Sequence, residues 1–97
     1  MEKSFYVYIL TNKRNGTLYI GVTSDLLKRI GQHKSGVIPG FTQKYNTKML
    51  VYYEQHNHAE SAIHREKRLK EWKRTWKLAL IERQNPSWRD LYSDIVG

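Results

Sequence analysis

The chain of 97 residues has no cysteine. Disulfides, thiolate metal centres and thiol nucleophiles are therefore excluded, and the composition fits a reducing cytoplasm. Acidic residues are also scarce, with 9 Asp and Glu against 17 Lys and Arg, for a net charge of +8. Nowhere does an apolar run approach the ~18 residues needed to cross a bilayer. The N-terminal apolar stretch ends at Leu10 and polar Thr11-Asn12-Lys13-Arg14 follows at once, so it is too short for a secretory leader. Repeats, low-complexity tracts and linker-like segments are missing too. The expectation is one small domain over residues 1–97, cytoplasmic and not associated with a membrane.

Hydrophobic residues make up 39% of the chain and aromatics 12%, enough for a packed interior. A positive surplus of this size in so small a domain favours a polyanionic partner, nucleic acid before anionic membrane. A solvated basic surface without a partner is the bland alternative.

Phe5 to Leu10 is β-branched and aromatic and reads as a strand. Asn15-Gly16 supplies the positive φ of a hairpin turn, and Thr17 to Val22 returns as a second strand. With a two-residue turn Arg14 faces Thr17, and Tyr6, Tyr8, Tyr19 and Gly21 share one side of the sheet. Ser24 or Asp25 caps a helix from Leu26 to about Lys34, and "GVIPG" ends it and opens a loop. Lys48 to Glu54 is a third strand. A helical pattern then runs from about Ala59 to Arg83, with a break near Arg74-Thr75, and "SWRDLYSDIV" after Pro86 forms a final short helix. The order β-β-α-β-α-α predicts an α+β domain: a small three-stranded antiparallel sheet flanked by helices.

Several residues stand out against this frame. Tyrosine is a good strand residue, yet tyrosines clustered on one face beside a glycine describe an open, polar surface. Arg29 and His33 are one helical turn apart. They are either two solvated positions or a guanidinium that clamps a phosphate beside an imidazole that moves a proton. Along the long helix Ala59, Ala62, Ile63, Leu69 and Trp76 mark a buried stripe, and Glu66 falls inside it. A buried carboxylate must pair with a base, bind a metal or tilt to a rim; one carboxylate with water and phosphate oxygens is a normal way to hold Mg²⁺. His64 to Lys77 contains seven Lys or Arg and two Glu, with Trp72 and Trp76 interleaved. That segment is either a solvated helix whose tryptophans complete the core or a phosphate-tracking surface. Loop residues Phe41 to Tyr45 add a basic and aromatic contact. His56-Asn57-His58 spells the letters of the HNH nuclease motif, but three consecutive residues cannot span two strands and a helix; they read as a polar turn.

Taken in order, Tyr6-Val7-Tyr8, Tyr19-Ile20-Gly21, Arg29, His33 and Glu66 resemble the signature of the GIY-YIG nuclease family. The resemblance covers about Tyr6 to Leu80, and is nearest to the small uncharacterised bacterial members made of this domain alone. It implies an endonuclease that hydrolyses phosphodiester bonds with one divalent ion, Mg²⁺ or Mn²⁺, acting on DNA in a structure-selective, repair-related role. Glu66 would hold the metal, and Tyr8 would activate the attacking water as general base or through a relay. Tyr19 would orient water or phosphate, Arg29 would neutralise the transition state, and His33 would assist Tyr8. Arg29 and the cation are expected to lower the Tyr8 pKa. Tyr6, Lys28, Lys44, Tyr45, Arg65, Lys73 and Lys77 are the expected DNA contacts. Two departures from the family pattern occur at Tyr6 and Val7. A third is the asparagine that many members carry a helix beyond the glutamate: Lys73 to Glu82 has none, Lys77 stands in that region, and Asn85 lies farther along. The alternative is a nucleic-acid-binding module whose nuclease activity is weak or lost.

Overall fold

A computed structural model describes residues 3–96; residues 1, 2 and 97 of the expected 1–97 domain lie outside the described residues. Strand β1 (Phe5–Thr11) turns into β2 (Leu18–Thr23), and helices α1 (Leu26–Ser35) and α2 (Phe41–Tyr45) follow. Strand β3 (Met49–His56) precedes α3 (Ala59–Glu71), α4 (Arg74–Gln84) and α5 (Tyr92–Val96). The fold is α+β, with a three-stranded antiparallel sheet in the order β2-β1-β3.

Strand β1 is central because it is apolar on both faces, and only a strand covered on both sides can bury both. Val7 and Ile9 join Ile20, Ala62, Leu69, Leu80 and Ile81 on the α3–α4 side. Tyr8 and Leu10 join Leu26, Ile30 and Leu50 on the α1–α5 side, with Tyr6 and Tyr19 packed at its margin. The hairpin differs from a two-residue turn. Gly16 N–H donates to Lys13 O at 2.9 Å, Asn15 is left-handed (φ 57°), and the Asn12 side chain accepts from Thr17 N–H at 3.0 Å. This wider loop sets Tyr8 opposite Gly21 and Leu10 opposite Tyr19. The displacement from the tighter register is even, so each side chain keeps its expected face. Across the other ladder Ile9 faces Tyr52 and Leu10 faces Leu50, which leaves Val51 as a bulge.

Four local expectations are corrected. Phe41 to Tyr45 is a short helix rather than a loop, framed by left-handed Gly40 (φ 101°) and Asn46 (φ 55°). The long helix breaks at Trp72 and Lys73, both extended, earlier than Arg74-Thr75. Arg74 fixes that break by donating to the carbonyls of Asn15 and Gly16 at 2.7 Å, which ties α4 to the hairpin loop. The break resets the helical phase, so Leu80 and Ile81 enter the core while Trp76 is 53% exposed; Ile63 is 44% exposed. The last helix begins only at Tyr92, because Trp88 turns left-handed (φ 57°) and inserts into the core, its Nε1–H donating to Glu82 at 2.9 Å.

The segment between α4 and α5 covers the outer edge of β3 at Leu50 and Val51. Asn85 donates to Val51 O at 3.1 Å and to Arg89 O at 2.8 Å, and accepts from Arg89 N–H at 3.1 Å. Asp90 accepts from Leu50 N–H at 3.1 Å, and Leu91 N–H donates to Leu50 O at 2.7 Å. Asn85 is therefore a buried structural group on the side of the sheet opposite β2. Asn85→Ala leaves several of these partners unsatisfied and is expected to cost about 2 kcal/mol or more. Urea unfolding checks this, and an unchanged midpoint would contradict it.

Candidate active site

The centre of the site is the phenol of Tyr8, which the register places across the hairpin from Gly21. A Cβ at position 21 would lie 2.4 Å from both Cζ and the hydroxyl oxygen of Tyr8. Only a residue without a side chain allows the tyrosine to lie there. On the far side of the phenol is His33, which helix α1 buries together with Leu26 and Ile30. Asp25 caps that helix through Lys28 N–H at 3.2 Å, which fixes which residues face the sheet.

The Tyr8 hydroxyl and His33 Nε2 are 3.0 Å apart, and His33 Nδ1 is 3.1 Å from Thr42 Oγ1. Tyr19 completes the aromatic group, its ring 5.5 Å from His33 and 6.4 Å from Tyr8. Burial pushes the Tyr8 phenol up to about 12, although the Arg29 guanidinium pulls it down. The expected lowering by Arg29 is thus present but loses to desolvation. Burial, and then the charge of Arg29, lowers His33 to about 4. Phenol and imidazole are both neutral at pH 7.

Arg29 faces Tyr8 from α1, and the Glu66 carboxylate acts on the same phenol from α3 with opposite sign. Tyr8, Tyr19 and His33 thus meet from β1, β2 and α1, and the charges of Arg29 and of Glu66 on α3 lie within electrostatic reach of the phenol. The Glu66 side chain is 14% exposed and forms an ion pair with Lys70 at 2.8 Å. Among the described residues no group of three His, Cys, Asp or Glu side chains is placed to hold a metal. A single carboxylate at an open rim fits an ion whose other ligands are water and phosphate oxygens, once Lys70 turns aside.

A groove beside edge strand β2 is lined by Leu18, Tyr19, Ile20, Phe41, Lys70 and Lys77. Lys77 is the expected contact that reaches it, and burial followed by the charge of Arg74 lowers its pKa. Phe41 and Tyr45, each 41% exposed, form an aromatic step at its mouth with centroids 4.7 Å apart. Lys44 Nζ lies over the Tyr45 ring at 5.4 Å. Lys28 is exposed on α1, and Lys73 covers exposed Trp76 at 5.5 Å. Tyr6 and Arg65 are elsewhere. Tyr6 packs edge-on to Tyr53 around a separate cavity with Ser4, Asp25 and Gln55. Arg65 is bound to Glu54 at 3.0 Å and stacks on Trp72, beyond the other flank of α3. Sequence reasoning missed Thr42 and Lys70: Thr42 acquires a partner only when α2 folds, and Lys70 is one of many cations on α3. The polar turn before α3 is Asn57 and His58 alone; His56, expected in it, is the last residue of β3 and is held there by Glu54 at 2.6 Å.

The pattern of the GIY-YIG catalytic domain matches residues 4–79. A UPF0213 protein of Staphylococcus haemolyticus is 36% identical over 77 residues, which cover 79% of this chain and 93% of that protein. Its counterpart in Staphylococcus saprophyticus is 37% identical over 76 residues, covering 78% and 92%. The solution structure of a UPF0213 protein from Bacillus halodurans superposes with a TM-score of 0.56 at 29% identity, covering 90% of this chain and 92% of that one.

Two outcomes are expected of this geometry. Gly21→Ala forces a methyl into the Tyr8 ring and costs about 1–3 kcal/mol of stability; an unaltered melting curve and unshifted Tyr8 resonances would refute the contact. The unfolded chain protonates its histidine near the ordinary value of 6.5, whereas folded His33 waits until about 4. Between those values the unfolded state holds the extra proton, so stability falls as pH drops from 6.5 towards 4, on the order of 1–3 kcal/mol. His33→Gln should remove that part of the acid dependence in paired unfolding titrations.

Proposed function

The chain belongs to the GIY-YIG catalytic-domain family, and from that membership we propose that it is a metal-dependent endonuclease that hydrolyses DNA phosphodiester bonds. The observation that carries the proposal is the buried Tyr8 phenol, seated where Gly21 lacks a side chain and 3.0 Å from His33 Nε2, with Arg29 one turn before His33 on the same helix. Such a hydrolysis needs an activated water and a partner for the charge that builds on phosphorus. Arg29 takes the second part, since a guanidinium pairs with two phosphate oxygens at once. Tyr8 accepts the proton of the attacking water, with His33 as the next station, and Tyr19 orients the water or a phosphate oxygen. Glu66 holds Mg²⁺ or Mn²⁺, which when bound supplies positive charge to phosphate and water.

The groove along β2 supports a nucleic-acid partner. Lys70 and Lys77 give it positive charge, and Phe41 and Tyr45 give it flat apolar surfaces. Lys28, Lys44 and Lys73 extend the phosphate-tracking surface, while Tyr6 and Arg65 contribute outside the groove. DNA is the preferred substrate, read by structure more than by sequence, and repair is the setting this chemistry suits. A second reading, a binding module with weak or lost cleavage, draws on the Lys70 ammonium that occupies Glu66 and on the lack of an asparagine in the groove.

A panel of duplex, branched and single-stranded DNA, each with Mg²⁺ or Mn²⁺, tests the proposal. Glu66→Ala and Arg29→Ala are each expected to slow cleavage by about 100-fold or more, with salt-sensitive binding retained by Glu66→Ala. Binding without cleavage on every substrate establishes the second reading, and cleavage by both variants at the wild-type rate refutes the assignment of these residues.

A further inference from the structure

Helix α2 is built inside out. Phe41 and Tyr45 are each 41% exposed, and the residue it buries is Thr42, 3% exposed. A short helix that hides a hydroxyl and shows its aromatics gains little from apolar burial, so Thr42 must contribute something else. Its position is held from both ends: Gly40 and Asn46 are left-handed, and Thr47 N–H donates to Thr42 O at 3.1 Å. A threonine in a helix ordinarily returns its hydroxyl to the preceding turn. Here the described partner of Thr42 Oγ1 is His33 Nδ1, at 3.1 Å.

We propose that Thr42 is a positioning residue of this site: its hydroxyl accepts the Nδ1–H of His33, fixes the imidazole tautomer, and leaves Nε2 open to the proton of Tyr8. This rests on the reading of Tyr8 and His33 as the proton path. A neutral imidazole has one N–H, so a partner that occupies Nδ1 decides the role of Nε2. In the proton balance, water forms the new bond to phosphorus as the bond to the leaving oxygen breaks. The proton of that water passes to the Tyr8 oxygen while the phenol proton moves to His33 Nε2. The resulting imidazolium returns one proton to the leaving oxygen or to solvent. His33 is faced by Tyr8 from β1, Tyr19 from β2, Arg29 from its own helix and Thr42 from α2. Thr42 is the member of that set that touches Nδ1.

The test uses the whole chain with Thr42→Val, which keeps the branched shape and removes the hydroxyl, and Thr42→Ser, which keeps the hydroxyl. Ring-nitrogen NMR shifts of His33 report the tautomer directly, whatever the state of catalysis. The wild-type protein and Thr42→Ser are expected to show Nδ1–H, and Thr42→Val a shift towards Nε2–H. In parallel, Thr42→Val is expected to slow cleavage by about ten-fold or more, with Thr42→Ser restoring most of the rate. A wild-type Nε2–H tautomer, an unchanged spectrum in Thr42→Val, or a Thr42→Ser that behaves like Thr42→Val would each overturn the proposal. Absence of cleavage by the wild-type chain would defeat the nuclease reading, and the spectra would still decide the role of Thr42.

Discussion

The missing side chain at Gly21 is the constraint on which the site depends. Strand β1 is buried on both faces, so the phenol of Tyr8 cannot escape to solvent by rotating away from the sheet. It lies over the neighbouring strand, and the space it takes is that of the absent Cβ. The hairpin register is therefore part of the chemistry, since it decides which β2 residue lies under the ring. The six residues between β1 and β2 set that register, and Arg74 grips the loop from α4. A distant helix thus has a hand in where the phenol sits.

The described residues hold two clusters of tyrosine, histidine, carboxylate and arginine, and they differ in how completely they are satisfied. On β3 and α3, the Glu54 carboxylate receives hydrogen bonds from Tyr52, His56 and Arg65. Burial works against its charge, yet those bonds hold its pKa below the usual carboxylate range. That cluster is closed. Around Tyr8 the opposing charges of Arg29 and Glu66 act on a phenol and an imidazole that burial keeps neutral. Lys70 is the counter-ion of Glu66, and it is more exposed than the carboxylate it covers, so it is the easier of the two to displace. The unbalanced cluster is the one beside the groove, where a phosphate can supply what is lacking.

Much of this could be read from the residues. Alternation in Phe5 to Leu10 and the Asn-Gly turn placed Tyr8, Tyr19 and Gly21 on one face, and an even change of register left that intact. Spacing placed Arg29 and His33 one helical turn apart. What escaped was set by tertiary contacts. The break between α3 and α4 involves neither proline nor glycine; it depends on a loop that Arg74 reaches across 59 positions of sequence. Trp76 looked like core because a continuous helix would have carried it there, and Trp88 became core through a left-handed backbone that tryptophan seldom adopts. The acidity of Tyr8 was misjudged because a neighbouring cation is visible in sequence and the depth of burial is not.

The strap that closes β3 lies beyond the span shared with the family pattern, which ends at residue 79. Leu80, Ile81 and Trp88 nevertheless belong to the central core, and Asn85, Asp90 and Leu91 occupy backbone groups of Leu50 and Val51 in β3. A bare β3 would offer another copy a ready row of donors and acceptors, the usual beginning of strand exchange and aggregation. The tail therefore acts as a molecular hem. It covers the β3 edge at Leu50 and Val51, where a strand from another copy would otherwise find free backbone groups.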